Sequence, residues 1–158
     1  MSFDASQFRS ALGQFPTGVA VITALDAESR PLGITMSSFN SVSINPPLVL
    51  FSLDRRALSL EPMRQASHYA VNVLSKEQIE LSNKFARAME DKWENVAFET
   101  RHTGAPLLTG ALAHFECKPY AHYDGGDHVI FVGEVVSFTS SDHSAPLVFC
   151  RGRYAEIA

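Results

Sequence analysis

The sequence predicts a mainly β protein, with an antiparallel sheet closed into a barrel and helices at its periphery. Apolar, β-branched segments recur along the 158 residues, and short turns rather than long helices separate them. The strands therefore follow one another without the strand–helix–strand alternation of a parallel sheet. A single domain, residues 1–158, accounts for this length.

The N-terminal segment is predicted to be a helix followed by the first core strand. Apolar residues recur at helical spacing from Phe8 to Phe15, and Asp4 with Gln7 resembles a capping box. Pro16 ends this pattern. The β-branched run that follows, VAVITAL, is typical of a buried strand.

The next segments combine a polar strand with a core strand. Alternation runs from Ile34 to Ser38 in GITMSSFNSVSINPP, which then becomes rich in polar residues until Pro46 and Pro47 interrupt it. The run LVLFSL is the next core strand, and a short helix is expected within 57–66.

The middle of the chain contains one further strand and the second clear helix. The strand is YAVNVL, and the helix is KEQIELSNKFARAM, which Ser75 and Gln78 open as a capping box. From Glu90 to Pro106 the pattern indicates only a loop or a short helix.

The C-terminal part is predicted to be strands alone. Clean alternation in ALAHFECKPY places Ala113, Phe115 and Cys117 on one face and the intervening residues on the other. A turn and a long apolar strand follow in GGDHVIFVGEVVSF, and PLVFCRGRYAEI reverses at Arg151 and Gly152. The whole pattern predicts six or seven strands and two clear helices.

Composition excludes several classes of protein. The net charge of -4 argues against nucleic-acid binding, which usually needs a basic face. The sequence shows neither a signal peptide nor an apolar run near the roughly 20 residues of a membrane span. Cys117 and Cys150 are expected to be buried, reduced thiols. A cytoplasmic protein that binds neither nucleic acid nor membrane is the resulting expectation.

The common catalytic motifs are missing from the sequence. It contains no GxGxxG, P-loop, GxSxG or HExxH pattern, and its six histidines have no metal-ligand spacing with the cysteines. A hydrolase or a metalloenzyme therefore has little support.

A polar segment and a few cations are the first candidates for a binding site. Thr35–Ser43 is either a solvent-facing edge strand or a wall whose hydroxyls and N–H groups bind a polar ring and its phosphate. Arg55, Arg56, Ser59 and Lys84 would suit a phosphate, or they are solvated surface residues.

The turn before the long strand is the second candidate. Gly125 and Gly126 allow a ligand to approach the backbone closely, and His128 stands at the mouth of the strand. The alternative is a hairpin turn with an incidental histidine.

The sequence resembles the flavin reductase-like family, the small reductase components of two-component flavin-dependent monooxygenases. The motifs that carry the resemblance run from about Phe8 to Tyr154. They are FPTGVAVIT, GITMSSFNSVSINPPLVLFSL, VNVLS, LSNKFA, GAPLLTGALAHFEC, GGDHVIFVGEV and PLVF with GRY. One departure is Met36-Ser37-Ser38, where relatives often carry Thr-Ala-Asn-Ser.

The resemblance implies an antiparallel Greek-key split barrel of the FMN-binding type, usually a homodimer, with FMN or FAD in a groove and NADH or NADPH as co-substrate. It implies that the following residues bind the flavin: Thr35, Met36, Ser37, Ser38, Ser41, Ser43, Ser52, Leu53, Arg55, Ser59, Lys84, Phe85 and Ala86. It also implies that the nicotinamide lies near Gly126, Asp127, His128 and Tyr154.

The function implied is that of an NAD(P)H:flavin oxidoreductase that supplies reduced flavin to a partner monooxygenase. Hydride transfer between two stacked rings needs positioning rather than a protein acid, base or nucleophile, which agrees with the missing catalytic motifs. Two alternatives remain. One is a flavin- or haem-binding split barrel without turnover. The other is a pyridoxamine-phosphate oxidase-like enzyme, although its phosphate-binding arginine clusters are not obvious here.

Overall fold

The computed structural model describes residues 2–87 and 91–157. Within these ranges the α-helices are α1 (Ala5–Leu12), α2 (Leu60–Gln65) and α3 (Ile79–Phe85). The strands of the same ranges are β1 (Thr17–Gly18), β2 (Ala20–Leu25), β3 (Pro31–Met36), β4 (Asn40–Ser43), β5 (Leu48–Asp54), β6 (Tyr69–Val73), β7 (Phe98–Glu99), β8 (Leu107–Leu108), β9 (Ala113–Gly125), β10 (His128–Ser140), β11 (Val148–Cys150) and β12 (Arg153–Ala155).

Seven strands form the main sheet, in the order β3-β2-β6-β9-β10-β5-β4. Every neighbouring pair in this sheet is antiparallel, as the sequence predicts. Two small sheets flank it, β1-β11-β12 and β7-β8. Some strands that follow each other in the chain are neighbours in the sheet, as in the hairpin β9–β10, whereas the connection from β5 to β6 crosses over other strands. This strand order is of the Greek-key type.

The main sheet is rolled, because its two edge strands are neighbours in the chain. Only residues 37–39 separate β3 from β4. A flat sheet of this size would be roughly 29 Å wide at about 4.8 Å per strand, whereas the chain from Met36 to Asn40 spans at most about 14 Å. The edges must therefore approach each other, which produces the split barrel that the sequence predicts.

The barrel interior is filled by aromatic side chains from adjacent strands. Phe51 stacks on Phe131 at 5.0 Å between ring centroids, and Tyr69 meets Phe51 edge-on at 5.1 Å. Strand β2 is buried along almost its whole length, since Val21, Ile22 and their neighbours face protein on both sides. The continuous apolar run at this position in the sequence reflects that double burial.

Helix α1 begins where the sequence predicts and ends earlier. The Asp4 carboxylate accepts hydrogen bonds from the N–H groups of Ser6 and Gln7, at 2.7 and 3.3 Å, so Asp4 is the N-cap. The helix ends at Leu12 rather than at Pro16, because Gly13 caps it. None of its residues is buried.

Helix α3 is preceded by the predicted cap and is shorter than predicted. The Ser75 N–H donates to Gln78 Oε1 at 2.9 Å, and this contact opens a 3-10 turn, Lys76–Gln78. The α-helix follows the turn and ends at Phe85. The predicted continuation to Met89 lies partly outside the described residues.

The expectation of a loop or short helix between Glu90 and Pro106 was incomplete. Short strand β7 lies in this region and pairs with β8, whereas Glu90 lies outside the described residues. The predicted six or seven strands correspond to the main sheet, and the described chain adds five short ones outside it. No helix of the described ranges is both long and apolar enough to span a bilayer.

Candidate functional site

A groove of about 630 Å³ opens beside the edge strand β3. Its lining comes from residues 31–34, 54, 56–59, 86–87 and 92–93, which belong to β3, to the end of β5, to the loop before α2 and to the chain after α3. Its size is in the range of small-molecule and cofactor sites. Leu32, Ile34 and Ala57 give it apolar walls, and its charged residues are Asp54, Arg56, Arg87 and Lys92.

Gly33 allows the floor of the groove to pack tightly. A Cβ atom at this position would lie 2.6 Å from the Phe85 ring and 3.2 Å from Trp93. The Trp93 ring in turn packs edge-on against Phe85, at 4.9 Å, and against Phe98, at 5.1 Å. The segment after α3 is thereby held against β3 as one wall.

An ion pair lies where β5 enters the groove. Arg56 donates to both oxygens of Asp54, at 3.2 and 3.0 Å. Hydrogen bonds from the Arg56 side chain hold the pKa of Asp54 at about 2, so this carboxylate is ionised in the ordinary pH range. Asp54 also lies directly opposite His128 in the β5–β10 ladder.

The glycine turn before β10 is fixed by Arg55. The guanidinium donates to the Gly126 carbonyl at 2.7 Å and to the Asp124 carboxylate, and the Arg55 N–H donates to the Asp127 carbonyl at 2.9 Å. Gly126 has a φ of 75°, which favours glycine. His128 Nδ1 lies 2.8 Å from Asp127 Oδ1, and the side chain is 41% exposed. The ring is oriented and remains open to solvent.

The polar segment 35–43 is divided between the two edge strands. Thr35 Oγ1 donates to the Ser82 carbonyl at 2.7 Å, which ties β3 to α3. Ser38 Oγ accepts from the Ser52 N–H at 2.9 Å and contacts the Ser52 carbonyl at 3.2 Å and Met36 sulfur at 3.5 Å. Ser37 and Ser41 are exposed. The hydroxyls of Thr35 and Ser38 are therefore engaged by the protein itself.

The other expected flavin residues are scattered around the groove. Ser59 and Ala86 line it, Phe85 is buried next to Gly33 at its floor, Leu53 is buried in the barrel core, and Ser43 lies on β4. Lys84 donates to the Glu94 carbonyl and lines a neighbouring depression of about 360 Å³ with Glu80, Asn83 and Arg87, and Arg87 also lines the groove. Arg55 and Lys84 are thus not brought into the groove.

Tyr154, expected near the nicotinamide, contacts α3 in this structure. Its hydroxyl donates to Asn83 Oδ1 at 2.7 Å and lies 2.7 Å from Ser82 Oγ. Its ring packs in a second core cluster that includes Phe85 and Trp93.

The groove also contains residues that sequence reasoning missed. Arg87, Lys92 and Trp93 form its third wall, and they lie in or beside the stretch where no periodicity could be read. The one available signal was compositional, since Trp93 is the only tryptophan of the chain and follows a lysine. Over residues 2–87 and 91–157, no three metal-ligating side chains come together to hold a metal ion.

The rolled antiparallel sheet defines a split-barrel protein, and its edge strand β3 forms one wall of the groove. A family model described as the flavin reductase like domain matches residues 12–158. The chain belongs to this family.

Curated relatives give the same assignment. The chain is 41% identical over 152 residues to a probable flavin reductase of Rhizobium meliloti (strain 1021), covering 96% of this chain and 49% of that protein. It is 42% identical over 152 residues to the stachydrine N-demethylase reductase subunit Stc3 of the same organism, covering 96% and 66%. The chain therefore spans about half the length of the first relative and just under two thirds of the second.

A solved structure agrees with the fold as well. The NADH:FAD oxidoreductase SgcE6 of Streptomyces globisporus, in complex with NAD and FAD fragments, matches with a TM-score of 0.93 at 38% identity. The match covers 98% of this chain and 93% of that one.

Proposed function

We propose that this protein is an NAD(P)H:flavin oxidoreductase that reduces FMN or FAD and releases the reduced flavin to a partner flavin-dependent monooxygenase. The observation that carries the proposal is the meeting of two sites at one point of the sheet. Asp54 lines the groove and stands opposite His128 on the glycine turn. A ring in the groove and a ring at the turn would therefore be neighbours.

The groove fits a flavin by the chemistry of its walls. Leu32, Ile34 and Ala57 offer apolar surface to a flat ring, and the Trp93 indole N–H is buried without a partner among the described residues. A bound flavin would supply the hydride-accepting ring. The protein supplies orientation. Holding two reactants in alignment lowers the activation free energy of their reaction by roughly 7–11 kcal/mol.

The glycine turn fits the second substrate. Asp127 orients the His128 ring through Nδ1, which leaves Nε2 as the free edge. This edge suits a contact with the carboxamide of a nicotinamide. The names of the relatives, reductases and reductase subunits, favour an enzyme over a carrier without turnover.

The test of this function is a direct assay. Purified protein is mixed with NADH or NADPH and, in turn, with FMN, FAD or riboflavin, while absorbance at the nicotinamide band is followed. Acceleration is expected with at least one pair of substrates. If no pair reacts faster than the mixture without protein, the enzyme proposal is wrong.

We also propose that the protein is a cytoplasmic homodimer. Phe3, Phe8, Leu12 and Phe15 are all at least half exposed along one N-terminal segment, which is unusual for a monomer. Both cysteines are free thiols, as expected in a reducing compartment. Sedimentation equilibrium should give twice the chain mass of 17.3 kDa, and Phe8→Ser with Leu12→Ser should shift it toward the monomer. A wild-type monomer at micromolar concentration would contradict the homodimer.

A further inference from the structure

The tip of the β9–β10 hairpin is only partly supported by the main sheet. Strand β9 pairs with β6 over residues 113–117, so residues 118–125 have β10 as their only neighbouring strand in the described sheet. On its other side, β10 pairs with β5 as far as His128. Gly126 and Asp127 lie beyond the last paired residues of both ladders. Their position therefore depends on other contacts.

Arg55 directly follows β5 and supplies these contacts. Its Nε donates to the Gly126 carbonyl at 2.7 Å, and its backbone N–H donates to the Asp127 carbonyl at 2.9 Å. A terminal nitrogen of the same guanidinium donates to the carboxylate of Asp124, near the end of β9. The planar guanidinium carries several donors in fixed directions, so it can hold two acceptors at once. Arg55 thus fixes the turn between β5 and β9.

The same side chain balances the charge at the hairpin tip. Asp54, Asp124 and Asp127 all lie at this end of the sheet. Arg56 neutralises Asp54 through two hydrogen bonds, and Arg55 forms an ion pair with Asp124. A nicotinamide dinucleotide carries a negatively charged diphosphate, which an unbalanced carboxylate nearby would repel. Loss of the Arg55 guanidinium would therefore release the turn and also add one net negative charge.

We propose that Arg55 is a positioning residue of the dinucleotide site. It acts through the glycine turn, which it holds so that His128 faces the second substrate, and it does not itself touch that substrate. This inference rests on the proposed function, and it gives Arg55 a role other than the flavin binding that the family resemblance implies. Arg55 is not part of the groove lining. Use of the dinucleotide should therefore depend on Arg55, whereas binding of the flavin should not.

The experiment compares Arg55→Met with Arg101→Met. Arg101 forms an ion pair with Glu99 outside the groove and the turn, and its side chain is 39% exposed, close to the 42% of Arg55. We expect Arg55→Met to lower kcat/KM for NADH or NADPH roughly fivefold to thirtyfold, mainly through KM, because a charged hydrogen bond at a partly exposed site is lost. Arg101→Met should leave kcat/KM unchanged.

Two binding measurements accompany the kinetics. Calorimetric titration with NAD⁺ or NADP⁺ should show a similar loss of affinity in Arg55→Met without any turnover. The dissociation constant of FMN, measured by quenching of flavin fluorescence, should change less than about twofold, because the groove is built from other residues. The melting temperature should fall by less than about 4 °C, as expected for an exposed ion pair in a chain of this size.

A second substitution separates positioning from charge. Arg55→Met combined with Asp124→Asn restores the charge balance but not the hydrogen bond to Gly126. N-benzyl-dihydronicotinamide, a hydride donor without phosphates, responds to positioning alone. We expect the double variant to recover part of the loss for the dinucleotide and none of the loss for this small donor. Full recovery with the dinucleotide, together with wild-type rates for the small donor in Arg55→Met, would reduce Arg55 to a charge and overturn the positioning role.

Other results would also overturn the assignment. Selective weakening of FMN relative to riboflavin in Arg55→Met would place Arg55 at the flavin phosphate. A larger fall in melting temperature, with flavin and dinucleotide weakened together, would show a structural role only. If Arg55→Met does not fold, Arg55→Lys, which keeps the charge but loses the planar fork, decides by the same comparison. A wild type that binds the dinucleotide without oxidising it refutes the proposed function alone, and calorimetry then still decides on Arg55. A wild type that binds no dinucleotide refutes both.

Discussion

Gly133 shows how a single missing side chain allows the barrel interior to close. A Cβ atom there would lie 2.6 Å from the Tyr69 hydroxyl and 2.8 Å from its ring. The hydroxyl has no hydrogen-bond partner among the described residues, and burial raises the pKa of Tyr69 well above its usual value. The position therefore tolerates neither added volume nor ionisation of its neighbour.

We expect Gly133→Ala to lower the free energy of unfolding by about 1–3 kcal/mol, the usual cost of overpacking. Urea denaturation measures this change. Gly18→Ala is the matched control, because nothing lies within 4 Å of an added Cβ there. Tyr69→Phe in the Gly133→Ala background should recover part of the loss, because it removes the closest atom. A loss no larger than that of Gly18→Ala would show that this contact relaxes at no cost.

His128 is the residue on which the second substrate depends. We expect His128→Ala to lower kcat/KM for the dinucleotide roughly tenfold to hundredfold, a transition-state loss of about 1.4–2.7 kcal/mol. Flavin affinity should be nearly unchanged, because the groove is built from other segments. Steady-state kinetics with varied dinucleotide and a flavin titration measure the two effects.

His143→Ala is the control for this variant, since this residue is exposed and its ring bonds to Ser141 alone within residues 2–87 and 91–157. If His128 only holds the hairpin, the melting temperature will fall and both ligands will be affected together. Wild-type kinetics in His128→Ala would mean that the ring does not contact the nicotinamide.

At the scale of whole elements, Asn72 connects three strands. Its Nδ2 donates to the Val21 carbonyl at 2.9 Å and to Thr23 Oγ1 at 3.0 Å, both on β2. Its Oδ1 accepts from the Leu108 N–H of β8 at 2.9 Å. Asn72 itself lies on β6 and is fully buried. The short strand β8 is thus tied to the main sheet by this amide, and by His114 of β9, whose Nε2 lies 2.8 Å from the Leu108 carbonyl.

Removing that amide should destabilise the protein strongly. Asn72→Leu leaves the buried Leu108 N–H without its partner, at about 1–3 kcal/mol. Thr23 Oγ1 loses the donor of Asn72 but keeps its own hydrogen bond to the Pro106 carbonyl. We expect a loss of roughly 1–3 kcal/mol in the free energy of unfolding. Chemical denaturation measures it, and Asn40→Ala, at an exposed position, should change it by less than about 0.5 kcal/mol. A loss below about 1 kcal/mol for Asn72→Leu would disprove this role.

The strands that the sequence revealed are those with a local signal. Strand β2 is buried along almost its whole length and β5 at Leu48, Val49, Phe51 and Leu53, and both therefore appear as apolar runs. The glycine turn marks the start of β10. Strands of two residues, such as β7 and β8, have no periodicity to read. Alternation also failed to separate buried from exposed residues within β9, where Glu116 and Cys117 are both buried. The Glu116 carboxylate accepts hydrogen bonds from the N–H groups of His102 and Thr103, so this segment covers the face of the strand that was expected to be polar and exposed.

The candidate site could be predicted from the sequence only where the residues that contact each other are also close in the chain. Ser59 and Ala86 do line the groove, and Asp127 does contact His128. The partner of Arg55 is 69 positions away, at Asp124, so its engagement could not be seen in the sequence. Lys92 lies at the groove because its ammonium donates a hydrogen bond to the carbonyl of Gly33, a residue 59 positions earlier in the chain. Such pairings depend on the rolled sheet, not on local pattern.

At the scale of the whole molecule, β5 joins the two halves of the site. It pairs with β10 along seven positions, from Leu48 to Asp54, and its last residue lines the groove. The hairpin that holds His128 is therefore placed by the same strand that places one wall of the groove. Among the described residues, the groove lining contains no cysteine, histidine or tyrosine to which a flavin could be attached covalently, which suits a ligand that enters and leaves.

The last prediction follows from that exchange. If flavin binds only the folded state, the free energy of unfolding rises by about 2.7 kcal/mol when free FMN is one hundred times its dissociation constant. For a chain of 158 residues, each kcal/mol raises the melting temperature by about 2–4 °C, so the expected increase is roughly 5–11 °C. Differential scanning calorimetry at increasing FMN measures it.

The protein should also lose its flavin on dialysis, and its rate of NAD(P)H oxidation should rise with added flavin. A protein that keeps its flavin through dialysis, with full activity and a melting temperature indifferent to added FMN, would hold the flavin as a permanent prosthetic group. Release of reduced flavin to a partner would then be wrong.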